Sequence, residues 1–199
     1  MSQTVTSRPF QLILEQYDLF TYNKNWGSSI SSSLSQKYDR APCGRSGGNY
    51  MEIERKFLPD MEHLPFCPED YPCRQIEQGY LCTEPVVRIR RDNDEYFLTY
   101  KSKGLMVREE YNLPLTRSGY EHLLAKADGR IITKKRYVIP LEDDLKLELD
   151  IFEGDLSPLV IAEIEFPDEE TARAYQAPEW LGEDVTYSSL YHNSTLSRL

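Results

Sequence analysis

Glu52, Glu54 and Lys56 alternate in the run Met51-Glu-Ile-Glu-Arg-Lys-Phe57. An extended strand sends every second side chain to the same face. As a strand, this run puts two carboxylates and an ammonium on one face, with Ile53 and Phe57 on the other. Carboxylates held that close repel each other unless a cation lies between them. Such a cluster suits the joint binding of a divalent metal and an anionic substrate.

The pattern recurs downstream. Arg88 and Arg90 share a face opposite Val87 and Ile89, Lys101 falls in phase with Thr99 and Phe97, and Lys134 shares a face with Arg136. Glu148 and Asp150 alternate with a strictly apolar set in Leu145–Ile151, and Glu163 and Glu165 do the same in Val160–Phe166. The signs are sorted by strand. One polar face on one strand is ordinary wetted surface. Six strands with segregated charge point instead to a closed barrel with a charged interior, because interior and exterior positions alternate along every barrel strand. The outward set, Ile53, Val87, Ile89, Leu147, Leu149 and Ile164, then needs cover from helices or loops.

The elements that hold these residues can be placed. Strands are expected near 51–58, 75–82, 86–91, 95–102, 106–114, 131–140, 145–153 and 159–166, with Arg91–Glu95 as a hairpin turn. A helix starts near Thr116, carries Tyr120, Leu123, Leu124 and Ala127, and ends before Gly129. A second has Asp168 as N-cap with Glu169 and Glu170 in its first turn. A short C-terminal helix runs from Tyr187 onward. The fold class is α+β, mainly β: an eight-stranded antiparallel β-barrel with helices packed outside.

In this order, Glu-x-Glu-x-Lys, Arg88-x-Arg90, Tyr100-Lys101-Ser102, Lys134-x-Arg136, Glu148-x-Asp150 and Glu163-x-Glu165 resemble the CYTH domain, also called the triphosphate tunnel metalloenzyme superfamily. Gln78-Gly-Tyr80, Gly182-Glu-Asp-Val-Thr186 and Tyr191-His-Asn193 are similar to its small bacterial members. The likeness covers about Met51 to Leu199 and implies a tunnel that binds a triphosphate with divalent metal. Where Asn112 stands, related members often carry a second Glu after Glu110.

Under that resemblance, Lys56, Arg88, Arg90, Lys101, Arg108, Lys134 and Arg136 cradle the phosphates. Glu52, Glu54, Asp150, Glu163 and Glu165 offer hard oxygen ligands to Mg²⁺ or Mn²⁺, with Glu110 and Glu148 supporting them from behind. The family also implies Lys56 and Tyr80 as a catalytic pair; a nearby ammonium lowers a phenol's pKa and lets the two move a proton. The plainer alternative is that Tyr80 only hydrogen-bonds and Lys56 only binds phosphate. His63, His122 and His192 are scattered and read as surface residues.

The chain has 199 residues and a formal net charge of −10, which argues against a nucleic-acid partner. Residues 1–50 hold five basic and three acidic residues, giving +2; the rest hold 18 and 30, giving −12. This first segment reads as a disordered extension ahead of a 51–199 tunnel domain, Ser-rich at 28–35 and linker-like at Cys43–Gly48. It is either upstream of a true start at Met51 or a regulatory tail. Its apolar stretch is too short to span a bilayer and lacks secretory-signal features. Of Cys43, Cys67, Cys73 and Cys82, none forms Cys-x-x-Cys, and His63, Cys67 and Cys73 match no common zinc spacing. A reducing cytoplasm fits. A homodimer stays open.

Three functions fit the tunnel. The first is a metal-dependent hydrolase of inorganic tripolyphosphate, releasing pyrophosphate and phosphate, or of thiamine or nucleoside triphosphates. The second is a class IV adenylate cyclase, which activates a ribose hydroxyl instead of water. The third is a non-catalytic polyphosphate-binding module. No adenine or ribose pocket is legible, and phosphate binding alone does not require so many carboxylates.

Overall fold

A computed structural model describes residues 50–199, so the expectations for residues 1–49 lie outside the described residues. Nine strands follow in chain order: β1 (Tyr50–Leu58), β2 (Cys73–Thr83), β3 (Val86–Asp92), β4 (Glu95–Lys101), β5 (Val107–Pro114), β6 (Asp128–Pro140), β7 (Lys146–Phe152), β8 (Val160–Glu165) and β9 (Glu183–Asp184). The sheet order is β5-β4-β3-β2-β6-β7-β8-β1-β9, and a β5–β1 pairing closes the first eight into an antiparallel barrel. The eight expected strands are all present, within a few residues of their expected ends.

The first strand is shared. Tyr50–Ile53 pair with β5 through Glu52↔Arg108, and Glu54–Phe57 pair with β8 through Glu54↔Glu165 and Lys56↔Glu163. Where β5 leaves that edge, β9 takes it over through Phe57↔Asp184 and Leu58↔Glu183. This two-residue ninth strand was not expected. Gly182 before it has φ 66°, and a Cβ there would lie 2.1 Å from the Leu58 carbonyl oxygen. Only glycine tolerates both constraints. The Lys56 N–H donates to Thr186 Oγ1 at 3.1 Å, so the Gly182–Thr186 motif fixes the backbone that carries Lys56.

The main apolar core lies outside the barrel wall. Ile53, Phe57, Tyr137, Ile139, Leu147, Leu149, Ala162 and Ile164 turn outward and are buried beneath Phe166, Ala172 and Leu181, with Phe66, Tyr71 and Trp180 packed against them. Each such aliphatic or aromatic side chain contributes about 1.5–3 kcal/mol when taken fully out of water. Two helices help to cover the wall. In α1 (Arg117–Leu124) the Thr116 side chain accepts from the Gly119 N–H, and in α2 (Glu169–Ala174) Asp168 accepts from the Thr171 N–H; the start near Thr116 and the Asp168 cap were expected. Helix α1 stops short of Ala127. The C-terminal part is a 3-10 turn (Ser189–Tyr191) followed by the single-turn helix α3 (Asn193–Leu196). Cover is incomplete: Val87 is only half-buried, and on the outer face of β4 and β5 Tyr100, Tyr111 and Leu113 remain exposed beside Met51. Among the described residues no helix is long and apolar enough to cross a membrane.

Candidate active site

Strand alternation brings the charged residues to one lumen. Glu52, Glu54, Lys56, Tyr80, Arg88, Arg90, Lys101, Arg108, Glu110, Arg136, Glu148, Glu163 and Glu165 line a single cavity. At one end the in-phase positions turn apolar: Leu58, Ile132, Phe152 and Ile161 pack with Tyr80 and with Leu196 of α3. The lumen is therefore blind at that end. Glu165 and the exposed Lys146 stand toward the opposite mouth.

Most of these charges neutralise one another. Lys56 Nζ lies 2.7 Å from Glu54 Oε1 and 2.5 Å from Glu163 Oε1. Arg108 donates to Glu52 at 2.9 Å and to Glu54 at 2.5 Å. Lys101 bridges Glu52 and Glu110, both at 2.6 Å. Arg136 binds Asp150 and Glu163, each at 2.6 Å, and also Glu148. Burial works to lower the Lys56 ammonium, but Glu163 and then Glu54 outweigh it and hold it above the ordinary lysine value. Burial likewise works to raise the Glu163 carboxyl, and Lys56 and Arg136 reverse this, keeping it well below the usual carboxylate range.

Two groups on β3 differ. Arg88 is buried, donates to Thr99 Oγ1 at 3.2 Å and leaves its Nε without a partner. Arg90 donates to Gln78 Oε1 at 3.1–3.2 Å. Neither has a carboxylate partner among the described residues. Burial, then the neighbouring Arg88 and Arg136, brings Arg90 down to about 10. Two guanidiniums facing a lumen without a direct carboxylate contact have the chemistry that suits an anion. Asn112, standing where a second Glu was weighed, accepts from Thr99 at 2.6 Å and donates to Glu110 at 2.6 Å. It thereby links the Arg88 side of the lumen to the Lys101 side.

Glu165 is the converse case. It has no hydrogen-bond or ion-pair partner among the described residues, and loss of water around its carboxyl raises its pKa. It faces Glu54 directly across β1 and β8, with Glu163 two residues away on the same face. Opposed carboxylates repel. All-oxygen donors of this kind suit a hard divalent cation. Among the described residues no three such side chains already stand close enough to hold one, so a cation would draw Glu54 or Glu163 away from Lys56 and Arg108.

At two places the local arrangement differs from the one expected. Asp150 is fully buried, bound by Lys134 and Arg136, and is not among the lining residues; neither is Lys134, which sits over the Phe152 ring at 5.1 Å. Phase puts both on the inner face, and their positions along β6 and β7 set them between the lining residues Arg136 and Glu148 and the apolar end at Ile132 and Phe152. Burial lowers Lys134 to about 8 despite Asp150. Lys56 and Tyr80 form no hydrogen bond with each other: the Tyr80 hydroxyl accepts from Gln78 at 3.1 Å, and burial raises its pKa rather than lowering it.

Sequence reasoning missed the C-terminal contribution. His192, Asn193 and Ser194 line the same cavity. The Nε2 of His192 and the Oδ1 of Asn193 are buried without partners. Burial, with Arg108 and Lys56 adding, lowers His192 to about 4, so the imidazole is neutral near pH 7. No periodicity marks these residues; the Tyr191-His-Asn193 motif was the available signal.

Comparison with known proteins agrees with this geometry. Residues 51–198 match the CYTH domain family. The chain is 40% identical over 153 residues to the inorganic triphosphatase of Nitrosomonas europaea, spanning 73% of this chain and 96% of that protein. It is 36% identical over 150 residues to the inorganic triphosphatase of Acetivibrio thermocellus, spanning 73% and 92%. Among solved structures, that of the inorganic triphosphatase NE1496 aligns with a TM-score of 0.56 at 38% identity, covering 73% of this chain and 93% of that one.

Proposed function

We propose that this chain, which belongs to the CYTH domain family, hydrolyses inorganic tripolyphosphate to pyrophosphate and phosphate inside its barrel. The carrying observation is the pairing pattern of the lumen. Arg88 and Arg90 face it without carboxylate partners, and Glu165 faces it without a cation. A polyanion and a divalent cation together would complete both halves. The relatives' activity as inorganic triphosphatases supports the same reading.

In this reading Arg88 and Arg90 take phosphate oxygens first, being already free of carboxylates. Lys56, Lys101, Arg108 and Arg136 join as the incoming phosphates displace their glutamates. Each exchange trades one charge-assisted contact for another, so binding need not leave a buried charge unpaired. Lys134 and Asp150 lie beneath and hold Arg136 in place. Glu52, Glu54, Glu163 and Glu165 would hold Mg²⁺ or Mn²⁺, with Glu110 and Glu148 orienting Lys101 and Arg136. The cation, when bound, supplies charge neutralisation and polarisation of phosphate oxygens. Tyr80 donates its hydroxyl proton to a phosphate oxygen rather than acting as a base, consistent with its raised pKa.

The test is a panel of tripolyphosphate, thiamine triphosphate and ATP with added Mg²⁺ or Mn²⁺. Expected is release of phosphate and pyrophosphate from tripolyphosphate, lost on chelation. Cyclic AMP from ATP as the main product would overturn this in favour of the cyclase, and binding without release in favour of a silent module.

A further inference from the structure

Among the described residues five buried side-chain polar atoms have no hydrogen-bond partner, and three of them belong to residues of one cavity: Arg88 Nε, His192 Nε2 and Asn193 Oδ1. Buried polar atoms are nearly always satisfied, so orphans gathered on one surface point to something that binds there. Arg88 is already accounted for by phosphate binding. His192 and Asn193 are not.

The segment carrying them is held firmly. Leu196 is fully buried against Tyr80, Ile132, Phe152 and Ile161, and the Arg130 N–H donates to the Ser197 carbonyl at 2.8 Å. Gly129 beside it has φ 72°, and a Cβ there would lie 2.3 Å from the Ser197 carbonyl oxygen. This docking closes the blind end and sets His192, Asn193 and Ser194 between the charged lumen and the apolar plug. All three are uncharged hydrogen-bonding groups. A neutral imidazole carries one N–H, which either ring nitrogen can hold. Turning the Asn193 amide by 180° keeps its shape and presents the NH₂ group in place of the oxygen.

We infer that His192 and Asn193 form a terminal-phosphate subsite, which caps the free end of a linear polyphosphate at the closed end of the lumen. This rests on the tripolyphosphate reading above. A terminal phosphoryl group has three non-bridging oxygens where an internal one has two. Donors at a dead end can therefore count the extra oxygen, which donors along the wall cannot. The subsite selects for chains with a free terminus and against cyclic ones of the same phosphate count.

The test compares linear tripolyphosphate with cyclic trimetaphosphate, which has three phosphates and no terminus. Binding of each to the full chain is measured by calorimetry with chelator present, and turnover of the linear form with Mg²⁺. Expected for His192→Ala and Asn193→Ala is a rise of about tenfold or more in Kd and KM for the linear form, the size of one lost contact to a charged group. The cyclic Kd should stay within about threefold, well below that threshold. His192→Gln, which keeps an N–H donor, should recover most of the linear affinity even if His192→Ala fails to fold. Equal weakening of both ligands, or no change in either, overturns the subsite. A wild-type chain that binds the linear form selectively but does not cleave it would fail the hydrolase reading and leave the subsite standing.

Discussion

Lys56 and Glu163 are direct register partners on β1 and β8, and their charged ends meet at 2.5 Å with both residues buried. The pair ties two neighbouring strands of the barrel wall together on its inner face. Neither charge is free to titrate alone, because each holds the other away from its ordinary pKa.

Removing one member strands the other. Loss of one partner from a buried pair costs about 3–5 kcal/mol, less where another counterion remains. Lys56 keeps Glu54, and Glu163 keeps Arg136, so the lower end applies. Lys56→Met and Glu163→Gln should each lower unfolding free energy in urea by about 3 kcal/mol without ligand. The double variant should lose clearly less than the sum. Additive losses would show that the two groups are not coupled.

A second expectation concerns acid. The folded chain keeps His192 unprotonated down to about pH 4, whereas the unfolded chain takes up that proton near 6.5. Between these values the unfolded state binds more protons, so the His192 contribution falls as pH is lowered through the window. The residue is half-exposed, and solvent screening keeps the effect below the full shift. In His192→Gln, stability should decline less steeply than in the wild type between pH 6.5 and 4. Parallel curves from chemical denaturation would contradict the burial of this ring.

A third expectation separates metal from phosphate binding. Glu165→Gln keeps the shape and removes a carboxylate that has no cation partner. Stability without metal should be unchanged or slightly higher, while the Mn²⁺ concentration for half-maximal turnover should rise by about tenfold or more, the cost of one lost charged ligand. Glu52→Gln should also depress turnover, but it frees Lys101 and Arg108 as well and should destabilise the fold. Unchanged metal dependence in Glu165→Gln would remove it from the ligand set.

Much of this was legible in the chain because the barrel enforces a period of two. Charge sorting by phase located six of the eight barrel strands and the lumen face of Glu52, Arg88, Lys101 and Glu163. Phase carries no information about depth, which is why Asp150 and Lys134 were expected in the cavity. The apolar in-phase neighbours Ile132, Phe152 and Ile161 were the available sign that the lumen closes there. Strand β9 is two residues long, too short for any period, and His192 reaches the cavity from an irregular segment. Lys56 and Tyr80 are not hydrogen-bonded to each other because Glu163 and Glu54 offer Lys56 a charge, and Tyr80 offers only a dipole.

The sharpest prediction contrasts two arginines that strand phase cannot tell apart. Arg88 is buried yet has no carboxylate partner, while Arg136 holds Asp150, Glu163 and Glu148. Arg88→Ala breaks no direct ion pair, and Glu110, which Arg88 helps Lys101 to hold ionised, keeps Lys101, so the fold should lose little stability. Arg136→Ala strands buried carboxylates and should cost about 3–5 kcal/mol of stability. Triphosphate binding should respond to both, with Arg88→Ala losing about 1.5–3 kcal/mol for one charge-assisted contact, or roughly tenfold to a hundredfold in Kd. Denaturation and calorimetry on the same samples read the two effects separately. If Arg88→Ala instead unfolded the chain while binding in folded material was untouched, Arg88 would be a structural cation and the anion site would lie elsewhere.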